Sequence, residues 1–313
     1  IVEIKKSGLR GRGGAGFPTA IKWETVYNDG SPVKYLVCNG AEGEPGTYKD
    51  RYMLRKNPYQ LFEGMLIAAY AIGAKEAIIG TKQKFTKLVP RLQQAIREFV
   101  EEGVCQDGYL RIVLGPDEYL FGEEKALLEV IDGRDPMPRM YPPYMVGVGA
   151  SPTQVNPTVV NNAETLSHLP NIVKNGAEWF SKLGIEDTPG TVIFTLTGDV
   201  KKPGMYEVEP GLTVRQLLYD LGGGPVEPGK EFKAVYSGVA NRVMTPDQFD
   251  LPIAFGTLRK EGVGLGSAGF IVYDERRNMV EVAYMFSKFL SKSSCGQCIP
   301  CNMGSRLITE HLE

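Results

Sequence analysis

The sequence predicts an α/β protein with more than one domain, and three observations support this. Strands and helices alternate through the N-terminal half, which indicates a layered, Rossmann-like domain with parallel strands and right-handed crossovers. After Gly184 the pattern changes to short strands around one short helix, which indicates a separate α+β domain of roughly 80 residues. From Val280 the chain becomes helical again and enters a cysteine-rich segment. A length of 313 residues has room for two or three domains.

The N-terminal half contains three predicted strands and three predicted helices. Apolar residues spaced three and four apart indicate the helices, and short apolar runs indicate the strands. The predicted strands are 34–38, 77–80 and 110–114, and the predicted helices are 59–72, 88–99 and 123–131. Ligands of parallel sheets bind beyond the carboxyl ends of the strands. We therefore expect a site in the segments that follow Cys38, Gly80 and Leu114.

The second half begins with an alternating strand at 191–198. A turn at Pro203 and Gly204 leads into a second strand at 205–208, and a short helix follows at 214–221. No internal repeat and no low-complexity segment is present.

Composition excludes several classes of protein. The chain is 42% hydrophobic and 23% charged, which is typical of a globular protein, and its net charge of -2 argues against nucleic-acid binding. No apolar run approaches the ~18 residues of a membrane span, and no signal segment opens the chain. Because the first residue is Ile1 and not Met, we expect a trimmed or processed N-terminus. The cysteine spacing is not that of a disulfide framework, so a reducing, cytoplasmic location is expected, with a peripheral place on a membrane complex as an option.

A glycine-rich segment at 8–17 is the first candidate site. Its glycines would let the backbone approach a phosphate or a flat ring closely. Arg10, Arg12 and Lys22 add positive charge, which suits an anionic cofactor. Since no strand precedes the segment, it does not match a dinucleotide-binding fingerprint, and a flexible surface loop is the alternative.

Three polar segments could complete such a site, and each has a structural alternative. Segment 38–46 follows a strand and carries two carboxylates, although a solvated acidic loop would look the same. Segment 119–124 places two glutamates in the first turn of a helix, where their negative charges would also stabilise the helix by interacting with its dipole. Segment 160–165 contains adjacent asparagines, which offer donors and acceptors but are also common in turns.

The cysteine segment carries a stronger signal. Cys295, Cys298 and Cys301 form a C-x2-C-x2-C pattern, the spacing that iron–sulfur clusters use, whereas a zinc site more often presents two separated pairs. A cubane cluster needs four ligands, and His311 is the remaining option downstream. We expect Cys38 and Cys105 to lie in the core or on a turn. His168 is expected to be a packed or exposed neutral imidazole, and no hydrolytic triad is indicated.

Five motifs in this order resemble one protein family. They are SGLRGRGGAGFPT (7–19), EPGTYKDR (44–51), GEE (122–124), NNAET (161–165) and SCGQCIPC (294–301). The family is the NADH-oxidising flavoprotein subunit of respiratory complex I, with related subunits of NAD-linked hydrogenases, formate dehydrogenases and electron-bifurcating complexes. The resemblance covers essentially the whole chain.

The resemblance implies three domains. The first is a Rossmann-like FMN- and NAD(H)-binding domain at 1–184. The second is a β-grasp domain of the soluble-ligand-binding type at 185–272. The third is the truncated start of a C-terminal helical iron–sulfur domain at 273–313, and the family's fourth cluster cysteine would lie beyond residue 313.

The resemblance also implies site residues. Those that would line the FMN are Gly11, Arg12, Gly13, Lys22, Asn39, Glu42, Tyr119, Gly122, Glu123, Asn161, Asn162 and Thr165. Those that would lie towards the nicotinamide nucleotide are Phe17, Glu44 and Glu124, and the two glutamates are the implied catalytic residues. Cys295, Cys298 and Cys301 would bind a [4Fe-4S] cluster.

The implied function is that of a diaphorase-type, NAD(H)-linked flavin oxidoreductase subunit. Hydride would pass from NADH to FMN, and electrons would leave singly through the cluster to other iron–sulfur subunits. The expected partners are a thioredoxin-like [2Fe-2S] subunit and a catalytic oxidoreductase subunit.

The chain departs from the family pattern at Ala41 and Gly43, where an aspartate and a serine are usual, and at Tyr141, where a lysine is usual. These departures favour an alternative, an FMN and iron–sulfur electron-transfer subunit that does not use NAD(H). A non-enzymatic β-grasp assembly module is a further alternative.

Overall fold

The structure, a computed structural model, describes residues 1–313 and divides into two compact units. The first unit consists of Ile1–Gly43 and Tyr48–Gly190. The second consists of Glu44–Thr47 and Thr191–Glu313, so a four-residue excursion of the chain belongs to it. The domain boundaries at residues 184 and 272 stay a prediction.

The first unit is built on a parallel sheet, as predicted. Its strand order is β3-β2-β1-β4, and every pairing is parallel. A separate two-stranded antiparallel hairpin, β5 with β6, lies at the C-terminal end of this unit. The strands are β1 (Tyr35–Gly40), β2 (Glu76–Lys82), β3 (Leu110–Gly115), β4 (Thr158–Asn162), β5 (Gly184–Ile185) and β6 (Thr188–Pro189).

Helices surround this sheet. They are α1 (Val2–Ser7), α2 (Thr19–Tyr27), α3 (Lys49–Lys56), α4 (Pro58–Ile72), α5 (Val89–Glu101), α6 (Glu124–Ile131), α7 (Ala163–Ser167), α8 (Leu169–Asn175) and α9 (Ala177–Ser181). The longest, α4, begins after Asn57, whose side chain accepts a hydrogen bond from the amide of Gln60. It ends at Gly73 in the left-handed conformation, which is a common helix stop.

Both faces of the sheet are buried. Leu36 and Cys38 of β1 belong to a large core that includes Trp23 and Phe62. Val37, between them, points into a smaller core on the opposite face. Because successive side chains of a strand alternate between faces, burial of all three means that helices or loops cover both sides. Only the strand ends and their loops are left to form a site.

Strand β4 was not predicted from the sequence, where residues 160–165 stood out only as a polar motif. In the structure Thr158–Asn162 pairs with β1, and Asn161 lies opposite Cys38. Strand β4 is short and ends in two asparagines, so its own sequence carries little strand signal, and pairing with β1 decides its conformation.

The second unit is an α+β domain followed by a helical hairpin. Its mixed sheet has the order β8-β7-β10-β9, with β7 and β10 parallel and both outer pairings antiparallel. The elements are β7 (Val192–Gly198), β8 (Gly204–Val208), α10 (Val214–Gln216), β9 (Phe232–Tyr236), α11 (Phe255–Lys260), β10 (Gly269–Asp274), α12 (Met279–Lys292) and α13 (Ile299–Leu312). A single π-helical turn, Leu217–Leu221, extends α10.

Helices α12 and α13 lie against one another, and the hydroxyls of Ser287 and Thr309 are 2.7 Å apart. The ring of Phe286 on α12 packs edge-on against Tyr236 of β9, with the centroids 4.9 Å apart. The predicted fold class is confirmed: the chain combines a parallel, Rossmann-like sheet, a small mixed-sheet domain and a C-terminal helical segment. None of the helices has the length and apolar character needed to cross a bilayer.

Gly64 gives a test of the packing of α4. A β-carbon there would lie 2.0 Å from the carbonyl oxygen of Leu166 in the backbone of α7. We expect Gly64→Ala to lower the free energy of unfolding by about 1–3 kcal/mol, because backbone cannot move aside as a side chain can. Urea unfolding followed by circular dichroism measures this.

The matched control is Gly304→Ala in the interior of α13, where no atom beyond the adjacent residues and the helix's own backbone lies within 4 Å of the added carbon. Alanine there should stabilise the helix by about 0.5–1 kcal/mol. Equal effects at the two positions would contradict the packing of α4 against α7.

Candidate functional site

The glycine-rich segment lies against the start of α7, at the carboxyl edge of the parallel sheet. The amide of Arg12 donates to Thr165 Oγ1 at 2.8 Å, and the amide of Gly11 donates to the carbonyl of Phe17 at 2.9 Å. A β-carbon on Gly13 would lie 3.1 Å from the β-carbon of Asn162. The backbone at Gly13 thus packs closely against Asn162, and the segment is a folded part of the unit and not a loose surface loop.

The Arg12 side chain is almost completely buried, with an exposure of 2%. Its Nη2 donates to the carbonyl of Pro189 at 2.6 Å, while Nε and Nη1 have no hydrogen-bond partner. Burial lowers the pKa of Arg12 to about 10, although the carboxylate of Glu164 acts in the opposite direction. A guanidinium that keeps unused donors in a buried place is suited to binding an anionic group.

The two asparagines at the end of β4 are held by different partners. Trp23 Nε1 donates to Asn161 Oδ1 at 2.8 Å. Asn162 caps α7 by accepting from the amide of Glu164 at 3.0 Å, and its Nδ2 donates to Asp50 Oδ2 at 2.6 Å. Both side chains are thus fixed by residues distant in sequence, as a preorganised binding site requires.

A buried charge network lies behind Asn162. Lys49, with an exposure of 1%, contacts Asp50 Oδ1 at 2.8 Å, Glu164 Oε2 at 2.9 Å and Asn162 Oδ1 at 3.2 Å. Burial by itself would lower the pKa of Lys49, but Asp50 and Glu164 outweigh it and the pKa is raised. Removing one partner of such a network costs about 3–5 kcal/mol, since a buried charge is left uncompensated.

Lys49, Asp50 and Glu164 were not among the site residues predicted from the sequence, although they lie within two of the five motifs. Adjacent residues of opposite charge at the start of α3 were the available signal. That signal is weak, because most such pairs lie on a solvated surface.

The loop after β1 forms hydrogen bonds both with α3 and with the turn at 119–122. Glu42 Oε1 accepts from the amide of Asp50 at 3.0 Å, and Oε2 accepts from Arg51 Nε at 2.6 Å. Burial, followed by the neighbouring Asp50, raises the pKa of Glu42 to about 7. Asn39 Nδ2 donates to the carbonyl of Gly122 at 2.7 Å. The structure therefore brings segments 38–43 and 119–122 together.

The two glutamates of the GEE motif have separate roles. Glu123 caps α6, since its carboxylate accepts from the amides of Lys125 and Ala126 at 2.8 and 2.9 Å. Glu124 forms an ion pair with Lys22 of α2 at 2.7 Å. Glu123 thus stabilises the start of a helix, as the structural alternative predicted. Glu124 links α2, the helix that follows the glycine-rich segment, to α6.

The residues predicted to lie towards a nucleotide belong to both units. The ring of Phe17 is exposed in the first unit, as are those of Tyr141 and Tyr144. Glu44 belongs to the second unit, where its carboxylate accepts from the amide of Val239 at 3.0 Å. The nucleotide roles of Phe17, Glu44 and Glu124 stay predictions.

The three clustered cysteines lie where α13 begins. Cys298 immediately precedes the helix and Cys301 is in its first turn, with its Sγ 3.3 Å from Ser294 Oγ. Three thiols in one short segment are a donor set suited to an iron–sulfur cluster. No three His, Cys, Asp or Glu side chains of the chain converge as a metal-binding group. The role of these cysteines as ligands stays a prediction.

His311 does not lie beside them. It is ten residues beyond Cys301 in the same helix, which at 1.5 Å per residue is about 15 Å along the axis. Its Nδ1 is 2.8 Å from the carbonyl of Leu307. The suggestion that His311 completes the cysteine set is therefore wrong, because His311 lies near the opposite end of α13 from the cysteines.

The remaining cysteines and histidine agree with expectation. Cys38 is buried in the core and Cys105 is partly buried. His168 packs edge-on against Phe180, with ring centroids 5.4 Å apart.

Three family models match the chain, and together they cover most of it. Residues 4–171 match the Nuo51 FMN-binding domain, 193–245 the SLBB domain, and 281–313 the NADH-ubiquinone oxidoreductase-F iron-sulfur binding region. The chain belongs to the family of FMN-binding subunits of NADH-quinone oxidoreductase. The family predicted from the order of the motifs is confirmed, and so, for the family, are an oxidoreductase function and a cofactor set of FMN, a [4Fe-4S] cluster and NAD(H).

Relatives and solved structures are similar over nearly the whole chain. An NADH-quinone oxidoreductase subunit of Rhizobium meliloti (strain 1021) is 41% identical over 97% of this chain and 74% of its own length. The corresponding subunit of Streptomyces coelicolor is 38% identical over 100% of this chain and 70% of its own length. A crystal structure of an air-oxidised NAD+-reducing [NiFe]-hydrogenase superposes with a TM-score of 0.89 at 38% identity. This chain covers about half of that hydrogenase chain, 52%.

The raised pKa of Glu42 predicts a pH dependence of stability. In the folded chain the pKa rises from an ordinary value of 4.5 to about 7, so the folded state binds this proton more tightly than the unfolded chain. The resulting stabilisation is complete below about pH 4.5 and is lost as the pH rises to about 7. Glu42→Gln should therefore reduce the fall in unfolding free energy between about pH 5 and about pH 7.5.

Urea unfolding at the two pH values measures the change. The exposed Glu118→Gln serves as control and should keep the wild-type dependence. A wild-type pH dependence in Glu42→Gln would show that Glu42 does not take up this proton.

Proposed function

We propose that this chain is the electron-entry subunit of a multisubunit oxidoreductase, passing electrons between NAD(H) and partner iron–sulfur subunits through FMN. One observation carries the proposal. At the carboxyl edge of the parallel sheet, the glycine-rich segment contacts segment 160–165, and segment 38–43 contacts the turn at 119–122. Buried Arg12 keeps two nitrogens there without a partner. The relatives support the NAD(H) link, because their names specify NADH-quinone oxidoreductase and NAD+-reducing hydrogenase.

The residues at this edge suit an FMN. Arg12 offers unused donors to an anionic group, and the adjacent glycines leave room for close approach. Asn161 accepts from Trp23 through its oxygen, so its amide nitrogen can face a ligand. The residues proposed to hold the cofactor are Gly11, Arg12, Gly13, Lys22, Asn39, Glu42, Tyr119, Gly122, Glu123, Asn161, Asn162 and Thr165.

When bound, FMN supplies the ability to exchange electrons in pairs with a nicotinamide and singly with an iron–sulfur cluster. The side chains of this site would bind and orient the cofactor. The buried network around Lys49 fixes Asn162, and the Lys22–Glu124 ion pair joins α2 to α6. We assign the nicotinamide nucleotide to Phe17, Glu44 and Glu124, where an aromatic ring offers stacking and carboxylates offer acceptors.

The cysteine segment would receive the electrons. Cys295, Cys298 and Cys301 supply three sulfur donors at the start of α13. We propose that these three cysteines would bind a [4Fe-4S] cluster, which exchanges single electrons when bound. The proposed partners are a thioredoxin-like [2Fe-2S] subunit and a catalytic oxidoreductase subunit, in the cytoplasm.

A second candidate, FMN and iron–sulfur electron transfer without NAD(H), is favoured by two features. Ala41 places a buried methyl group where the family has a carboxylate, and Tyr141 replaces a cation with an exposed ring. Only a measurement with the nucleotide separates the two candidates.

Anaerobic reduction is that measurement. In the purified complex containing this chain, NADH should bleach the visible flavin absorbance within the mixing time of a manual experiment, and dithionite should add little further bleaching. The bleaching is recorded by absorption spectroscopy with NADPH as a parallel donor. Bleaching by dithionite alone would favour the second candidate.

The proposed role of Arg12 is tested by FMN affinity. Arg12→Met should weaken FMN binding about 10- to 100-fold, the range for losing hydrogen bonds to a charged group. Flavin fluorescence quenching measures the dissociation constant, and thermal unfolding shows whether the fold is retained. Arg10→Met makes the same charge change in the same segment and should weaken FMN binding far less. Equal losses in both variants would argue for a general charge effect instead of a specific contact.

A further inference from the structure

Lys82 is a third buried cation at the carboxyl edge of the sheet, besides Arg12 and Lys49, and neither the motifs nor the family resemblance singled it out. It is the last residue of β2 and has an exposure of 2%. Its ammonium donates to the carbonyl of Asp117 at 2.9 Å. Asp117 Oδ1 lies 3.7 Å away and is shared with Lys84, which also forms an ion pair with it.

The position of this ammonium depends on Gly43. A β-carbon on Gly43 would lie 2.9 Å from Lys82 Nζ and 3.4 Å from the Tyr119 ring. The ammonium therefore packs against the backbone of the loop after β1 and beside the turn at 119–122. Gly43 lies next to Glu42, and Tyr119 and Glu42 are both among the residues proposed to hold FMN. A residue with a side chain at position 43 would force Lys82 to move.

The charge of Lys82 is only weakly compensated, in contrast to that of Lys49. An ammonium has three donor hydrogens, and one of them is used in a hydrogen bond at 2.9 Å. Asp117 is 60% exposed and is paired with Lys84, while Arg51 adds a further positive charge nearby. Burial, followed by the neighbouring Lys84, lowers the pKa of Lys82. Any negative charge that develops beside Gly43 would meet an ammonium with spare donors.

We propose that Lys82 is a further residue of the flavin site and that it sets the reduction potential of the bound flavin by stabilising the reduced form. The absence of a side chain at Gly43 leaves the space that the ammonium occupies. Reduction of a flavin by two electrons and one proton leaves the ring system with a negative charge that the oxidised ring lacks. A buried cation interacts with such a charge more strongly than a surface cation does, since the surrounding dielectric is lower. The proposal rests on FMN binding at this edge, as proposed above.

The alternative role for Lys82 is structural, as an anchor for the turn at Asp117. An anchor would affect oxidised and reduced FMN equally, because it would act through the shape of the site. A charge effect acts on the reduced form. The ratio of the two dissociation constants therefore separates these roles, and it also determines the shift in potential between free and bound flavin.

The test measures FMN affinity in the complete complex after removal of its flavin. Dissociation constants are determined for oxidised FMN by fluorescence quenching and for FMN reduced with dithionite by anaerobic ultrafiltration. We expect Lys82→Met, which keeps an unbranched side chain one atom shorter and removes the charge, to weaken binding of reduced FMN several-fold more than binding of oxidised FMN. Lys82→Arg, which keeps the charge, should restore the wild-type ratio.

Lys84→Met is the matched control, because Lys84 pairs with the same Asp117 but is 48% exposed. It should change the ratio much less than Lys82→Met does. Gly43→Ala provides an independent variant in which Lys82 is intact but displaced, and it should change the ratio in the same direction as Lys82→Met.

Two results would overturn the proposal: an unchanged ratio of the two dissociation constants in Lys82→Met, or a change of the ratio in Lys84→Met as large as that in Lys82→Met. Failure of the proposed function is distinguishable, since it would appear in the wild-type complex as absence of FMN binding or of reduction by NADH. Because dithionite reduces the flavin here, the test does not depend on NADH.

Discussion

Lys49 brings a positive charge to a position with an exposure of 1%, and its ammonium there meets the carboxylates of Asp50 and Glu164 and the amide oxygen of Asn162. The arrangement of the site depends on this contact. It links the start of α3 to the start of α7, and through Asn162 it reaches the glycine-rich segment, which packs at Gly13. A network of buried charges is stable only when each member has its partners, so these elements have little freedom to separate.

Three buried cations at the carboxyl edge differ in how completely the protein compensates them. Lys49 has two carboxylates, Arg12 has one carbonyl and the field of Glu164, and Lys82 has one carbonyl and a shared, exposed carboxylate. The first is structural. The other two keep donor capacity that the protein does not use, which is the property expected of groups that meet an anionic cofactor. The degree to which protein groups offset the charge of a buried cation therefore distinguishes cations that stabilise the fold from cations available to a ligand.

Much of the fold was predictable because its signals are local. The helix at 59–72 was predicted with the bounds that α4 has within one residue, since its apolar spacing and the glycine that ends it lie within the element itself. The glycine-rich segment and the cysteine segment were found for the same reason. Strand β4 was missed, because its conformation is decided by pairing with β1, more than a hundred positions earlier in the chain.

The sequence by itself determined the layered α/β plan, the presence of a separate small α+β domain in the second half, and the kinds of chemical group available for a cofactor. These follow from periodicity and from residue type, which are properties of neighbouring positions. Only the tertiary structure decided which charges are buried together and which donors are left over. Lys49 and Asn162 are 113 positions apart, and Lys82 and Asp117 are 35 positions apart. Burial of a charge depends on all the segments that pack around it, and no local pattern records that packing.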